Sequence, residues 1–114
     1  MGVFEGVRAY ETADGGAIFR LDDHTKRLFD AASKINISIP YSIPDLTQAQ
    51  KAAMIKNNLQ EGYIRPIVFL GSESMGLRSQ DALSVNVAIA CWEWPSYMDP
   101  EAKRNGISVV KSPF

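Results

Sequence analysis

Two strand-like segments in the second half of the sequence place the strongest limit on the fold. Residues 63–70 and 84–94 are bounded by turn-forming residues, and the second segment, SVNVAIACWEW, is apolar at nearly every position of its middle. Continuous apolar runs of this length are typical of strands that are buried on both faces, whereas half-buried strands alternate. We therefore expect a sheet in which the second segment is central.

The beginning of the chain predicts a hairpin followed by a helix. Residues 3–10 alternate, and residues 17–21 form a second apolar run beyond the turn signal ADGG. Asp22 is placed to cap a helix that ends near Asn36. The apolar positions of that helix follow three-four spacing, which gives it one buried stripe: Leu28, Ala31, Ala32 and Ile35.

A second helix is predicted after a loop that contains Pro40 and Pro44. Ser42 and Asp45 form a capping-box pattern at its start, and its apolar positions run through Leu59, so that it ends by Gly62. Beyond the second strand-like segment, we expect one helical turn at residues 100–105 and a last strand at residues 107–111.

These elements predict an α+β fold, an open α/β sandwich, in one small domain that spans residues 1–114. A chain of 114 residues has room for one sizeable core. Strands at both ends would leave sheet edges exposed, so the chain reads as a fragment of a longer protein.

Charge and cysteine usage exclude several functions. Twelve basic and thirteen acidic residues give a net charge of −1, without the basic run that a nucleic-acid backbone requires. No segment has the ~20 apolar residues of a membrane span, and the first ten residues do not resemble a signal peptide, so we expect a cytoplasmic protein. Cys91 predicts a buried, reduced thiol, and neither it nor His24 can build a metal site alone.

The segment Tyr63-Ile64-Arg65-Pro66 is the most informative chemical feature. Period-two alternation places Tyr63 and Arg65 on the same face of their strand. An arginine fork with a phenol hydroxyl beside it can bind a carboxylate. The pattern alone also allows a surface arginine whose stem lies along an edge tyrosine.

Other candidate residues carry weaker signals. Arg27 lies three residues after His24 on the first predicted helix. An arginine at such a position is normally a solvated charge, and a histidine there is normally solvated or packs against the helix. Trp92, Trp94 and Tyr97 crowd the end of a strand, where they either wall an apolar pocket or pack against the core. Self-contained catalytic signatures such as GxSxG, HExxH and CxxC are absent.

Several segments, in order, resemble the branched-chain aminotransferases of the fold-type-IV pyridoxal-phosphate class. They are VFEGVRAY, HTKRLFDAA, IPYS, NNL, GYIRPIVFLGSESMGL and WEWPSYM. The match covers essentially the whole chain, and YIRP is more particular to the branched-chain enzymes than VFEG is. The resemblance implies the small N-terminal domain of a two-domain enzyme.

The resemblance also implies roles for individual residues. Arg27 corresponds to the arginine that binds the phosphate of pyridoxal phosphate. Tyr63 and Arg65 line the substrate pocket, where Arg65 helps the site to accept the distal carboxylate of glutamate. The apolar wall for the aliphatic side chain is implied at Phe4, Met75, Leu77 and Tyr97. Met75 and Leu77 belong to a loop that reaches the neighbouring subunit's site, so a homodimer is expected.

The activity implied for the parent enzyme is exchange of the amino group of leucine, isoleucine or valine with 2-oxoglutarate. The lysine that carries the cofactor in this family has no counterpart here, and Lys111 does not correspond to it. We therefore expect no catalytic residue in this chain and no turnover by the chain alone. The alternatives are a fragment of a D-amino acid aminotransferase or aminodeoxychorismate lyase, against which YIRP argues, or a non-catalytic binding module.

Overall fold

The computed structural model describes residues 1–73, 83–95 and 98–112. A sheet with two long helices packed on one side confirms the predicted α+β class. The elements in chain order are β1 (Gly2–Phe4), β2 (Val7–Thr12), β3 (Gly15–Ile18), α1 (Leu21–Lys34), α2 (Ile43–Lys56), β4 (Gly62–Leu70), β5 (Val85–Trp92) and α3 (Pro100–Asn105).

The longest strand, β4, lies in the middle of an antiparallel sheet. It pairs with β5 along one edge, from Tyr63 opposite Trp92 to Leu70 opposite Val85. Its other edge is shared by β2 and β1. The prediction that the second apolar segment is central is wrong, because in the described ranges β5 pairs with β4 alone. Apolar side chains indicate that the faces of a strand can be buried. They do not determine whether both of its backbone edges pair with other strands.

The predicted hairpin is confirmed, although its first strand is interrupted and its second strand ends at Ile18 instead of Leu21. The strands β2 and β3 pair across a two-residue turn, with Thr12 opposite Gly15. Residues 3–10 do not form one strand, since Glu5 and Gly6 separate β1 from β2. This interruption lies beside β4 and becomes part of the candidate site.

Both long helices cover the same face of the sheet. Alternate β4 residues point toward them, and Ile64 and Val68 are fully buried. Ile64 belongs to one core cluster with Val7 and Met54. Val68 belongs to the other, whose buried members are Leu28, Ala32, Ile37 and Leu46. The intervening β4 residues, including Tyr63 and Arg65, therefore face away from the helices.

The helix boundaries confirm one predicted cap and correct another. At the start of α2, the Ser42 hydroxyl accepts a hydrogen bond from the Asp45 N–H at 3.2 Å and the Asp45 carboxylate accepts one from the Ser42 N–H at 3.1 Å. Asp22 does not cap α1. The cap is Arg20, in the left-handed region at φ 48°, and Asp22 lies in the first turn. An acidic residue there still interacts favourably with the helix dipole.

The ends of the chain's regular elements differ modestly from prediction. The first helix ends at Lys34, and the second ends at Lys56, so Leu59 lies beyond it. The helical turn at residues 100–105 is confirmed as α3. The strand predicted at residues 107–111 is wrong: these residues have no regular structure, and Val110 is 96% exposed.

In the described parts of the chain, no helix is long and apolar enough to cross a bilayer.

Candidate functional site

The uncovered face of the sheet carries an arginine that is held by its neighbours. Arg65 Nη2 donates a hydrogen bond to the Tyr63 hydroxyl at 2.8 Å. The Arg65 guanidinium carbon lies 4.4 Å from the centre of the Phe4 ring, a cation-π distance. This geometry confirms that Tyr63 and Arg65 share one face and brings Phe4 to the same place. We call these three residues the Arg65 site.

One nitrogen of Arg65 is shielded from water and has no acceptor. Its Nε is buried without a hydrogen-bond partner among the residues that the structure describes. This shielding disfavours the surface-arginine interpretation, in which solvent would satisfy the guanidinium. Buried donors are nearly always paired in folded proteins. A carboxylate is the chemical group that best matches a planar fork.

A glycine, Gly6, lets the Tyr63 hydroxyl come close to the main chain between β1 and β2. At Gly6 a β-carbon would overlap the Tyr63 hydroxyl oxygen, so a larger residue there would displace the phenol ring. The interruption between β1 and β2 thus positions the tyrosine that holds Arg65. The motif VFEGVRAY contains this glycine, but no local pattern indicates its role.

Aromatic rings flank the Arg65 site on the side of β5. The Tyr63 ring centre lies 5.2 Å from that of Trp92 and 4.9 Å from that of Trp94. Arg8 fixes the backbone of this cluster, because its Nη1 donates to the Trp94 carbonyl at 3.2 Å. Trp92 and Trp94 therefore form one apolar flank of the site. The other predicted wall residues, Met75, Leu77 and Tyr97, lie outside the described residues.

A second cluster is built around Glu5, which is 6% exposed. Arg27 donates from Nε to Glu5 Oε1 and from Nη2 to Oε2, both at 2.6 Å. His24 Nδ1 lies 2.8 Å from the same Oε2. Burial raises the pKa of Glu5, but the hydrogen bonds and charges of Arg27 and His24 outweigh it and hold that pKa below its ordinary value. We call these three residues the Arg27 cluster.

Arg27 remains accessible although Glu5 binds it. Its side chain is 67% exposed. A guanidinium has five N–H groups, and the described contacts of Arg27 use one on Nε and one on Nη2. The hydrogen bonds to Glu5 also raise the pKa of Arg27. Arg27 thus presents a permanently charged edge with further donors, which suits a phosphate or another anion.

Glu5 is the residue that sequence reasoning missed. A signal existed in VFEGV, where a carboxylate interrupts apolar residues of a predicted strand. Its partners come from α1, 19 and 22 residues away in the sequence. His24 was predicted to be solvated or helix-packing, and its ring binds Glu5 instead. Cys91 is half-buried, which is less than predicted, and burial raises the pKa of its thiol.

The sequence matches one protein family along almost its whole length. The family model described as amino-transferase class IV matches residues 2–113. The chain belongs to the class IV aminotransferases. The resemblance carried by the sequence motifs is thereby confirmed at the level of the family.

Individual class IV aminotransferases are similar to this chain in sequence and in structure. The branched-chain-amino-acid aminotransferase of Pseudomonas aeruginosa is 56% identical over all 114 residues of this chain. The crystal structure of the Escherichia coli branched-chain amino acid aminotransferase covers 89% of this chain, with a TM-score of 0.82 and 38% identity. The T.th. enzyme, complexed with N-(5'-phosphopyridoxyl)-L-glutamate, covers 82% with a TM-score of 0.78 and 39% identity.

The chain is much shorter than these relatives. It spans 37% of the Pseudomonas protein and 33% and 32% of the two solved chains. The similarity of sequence and fold therefore applies to about a third of a complete enzyme.

Proposed function

We propose that this chain is the N-terminal part of a branched-chain aminotransferase, and that it supplies one wall of the active site. The parent enzyme exchanges the amino group of leucine, isoleucine or valine with 2-oxoglutarate. The observation that carries this proposal is the Arg65 site, where the Arg65 guanidinium contacts Tyr63 and Phe4 and its Nε is buried without a partner among the described residues. The similarity to branched-chain aminotransferases over the whole chain supports it.

The residues present fit the phosphate of pyridoxal phosphate at one point. The exposed edge of Arg27, fixed by a buried carboxylate, offers several N–H donors and a permanent charge. Arg27 would hold the phosphate, and the cofactor would supply an electron sink for the substrate's α-carbon. The lysine that carries the cofactor belongs, in this proposal, to a later part of the parent. The chain alone should then have no turnover.

The Arg65 site would select substrates by their second carboxylate. Glutamate and 2-oxoglutarate bring one, which the remaining donors of Arg65 can bind beside the Tyr63 hydroxyl. Leucine brings none, so it would use the apolar wall. We propose Phe4, Met75, Leu77 and Tyr97 for that wall. Met75 and Leu77 would reach the other subunit of a homodimer, and we propose a cytoplasmic location for the parent.

Arg65→Ala in the full-length parent tests the carboxylate role. We expect kcat/KM for glutamate to fall by roughly 10- to 100-fold, because a charge-assisted hydrogen bond contributes about 1.5–3 kcal/mol. The value for leucine should fall much less. Arg65→Lys keeps the charge without the fork and should restore glutamate only partly. Equal losses for both substrates would mean that Arg65 has a structural role.

Three alternatives remain, two enzymes of the same class and one non-catalytic module. A D-amino acid aminotransferase would transaminate D-alanine in preference to leucine, isoleucine and valine, and an aminodeoxychorismate lyase would transaminate none of them. A non-catalytic binding module would be favoured if the source gene ends with this segment. The YIRP segment and the branched-chain relatives favour the first proposal.

A further inference from the structure

Glu5 belongs to the Arg27 cluster and is next in sequence to Phe4 of the Arg65 site. Its neighbour Phe4 stacks on Arg65 over the open face of the sheet. Its own side chain is buried against α1 and binds Arg27 through both carboxylate oxygens. Its backbone N–H donates to the Pro66 carbonyl at 3.1 Å, so the main chain at Glu5 is tied to β4. The carboxylate therefore has a fixed position relative to the sheet.

We propose that Glu5 is a positioning residue for Arg27: its carboxylate fixes the plane of the guanidinium and turns the unbonded edge outward to receive a phosphate. The proposal rests on the phosphate-binding role proposed for Arg27. A mostly exposed arginine on a helix otherwise samples many rotamers, and ordering it on ligand binding opposes affinity. Two parallel hydrogen bonds that Arg27 donates to a buried carboxylate remove that freedom beforehand.

His24 supports the same arrangement from its other side. Its Nδ1 lies 2.8 Å from Glu5 Oε2, the oxygen that also accepts from Arg27 Nη2. Two groups on one face of α1 therefore bind one carboxylate, and the carboxylate cannot rotate without breaking at least one contact. His24 thereby restrains the orientation of Glu5.

Orientation and charge predict opposite effects of removing the carboxylate. Glu5 partly neutralises Arg27, so if charge alone mattered, Glu5→Gln would strengthen phosphate binding. If orientation matters more, the same variant would weaken it, because the glutamine NH₂ group faces a guanidinium that also offers only donors. If Glu5 only stabilises the fold, ligands with and without a phosphate should be affected equally.

The test compares binding of pyridoxal phosphate and of pyridoxal, which lacks the phosphate, to the full-length apoenzyme by equilibrium dialysis. The ratio of the two affinities isolates the phosphate contribution. We expect Glu5→Gln to lower this ratio roughly tenfold, equivalent to about 1.4 kcal/mol. Glu11→Gln, a substitution of an exposed acid on β2, is the matched control and should leave the ratio unchanged.

Arg27→Ala separates the failure of this proposal from failure of the proposed phosphate role. It should lower the ratio on its own, and adding Glu5→Gln to it should change the ratio no further. An unchanged ratio in Arg27→Ala would reject the phosphate role of Arg27. A normal or raised ratio in Glu5→Gln, with a lowered one in Arg27→Ala, would overturn the positioning role of Glu5.

A second variant covers the case in which Glu5→Gln does not fold. Glu5→Asp keeps the charge but shortens the side chain by one methylene, so it cannot hold both Arg27 contacts at their present lengths. Its ratio should also fall, although less than in Glu5→Gln. An unchanged ratio in Glu5→Asp would contradict the need for a bidentate contact.

Discussion

Two side chains of opposite charge, Glu5 and Arg65, are partly or wholly shielded from water beside β4. Glu5 is satisfied by Arg27 and His24, whereas Arg65 keeps a buried Nε without an acceptor in the described ranges. The pairing of Tyr63 with Arg65 was predictable, because it depends only on period-two geometry. The contacts of Glu5 with Arg27 and His24 were not, although VFEGV marks Glu5 as unusual, because both partners lie on a helix whose docking no local pattern specifies.

The lowered pKa of Glu5 predicts that this chain loses part of its unfolding free energy in acidic solution. A carboxyl group whose pKa is lower in the folded state stabilises the fold above its unfolded pKa, about 4.3, and loses this contribution as pH falls through the folded value. The difference in unfolding free energy between the chain and its Glu5→Gln variant should therefore be constant above about pH 5 and shrink in more acidic solution. Urea unfolding at several pH values measures it. A difference that grows on acidification would contradict the pKa direction.

At the scale of elements, two of the misjudged positions are ones where a partner strand decides the structure. The capping box of α2 needs only residues 42–45 and was predicted correctly. The place of β5 in the sheet and the absence of a strand at residues 107–111 both depend on which backbone edges meet. The two long helices are also joined to each other by a buried hydrogen bond, which Gln50 Nε2 on α2 donates to Thr25 Oγ1 on α1 at 2.9 Å.

Leu28→Ala tests the packing of α1 on the sheet. Leu28 is fully buried in the cluster that contains Val68, so its truncation should destabilise the chain by about 2–5 kcal/mol. Ile55→Ala is the control, because Ile55 lies on α2 with 74% exposure and should change stability by roughly 0.5 kcal/mol or less. Urea unfolding gives both values. Similar effects of the two substitutions would contradict the assignment of the core.

At the scale of the whole molecule, the two long helices cover one face of the sheet and the Arg65 site lies on the other, whereas Arg27 belongs to α1. That open face also carries exposed rings, with Phe4 59%, Tyr10 46% and Phe69 40% exposed. In our proposal the remainder of the parent enzyme covers this face and completes the site. The length of the relatives, of which this chain spans about a third, is consistent with such a division. No local pattern within 114 residues could show that second part; only resemblance named the reaction.

The most direct test of this account measures transamination of leucine with 2-oxoglutarate by the full-length parent and by this chain, at equal concentrations and with added pyridoxal phosphate. The parent should turn over, and after desalting it should keep an absorption band of lysine-linked cofactor. This chain should show neither. Turnover with a retained band in the chain alone, or a parent that uses D-alanine and not leucine, would contradict the account.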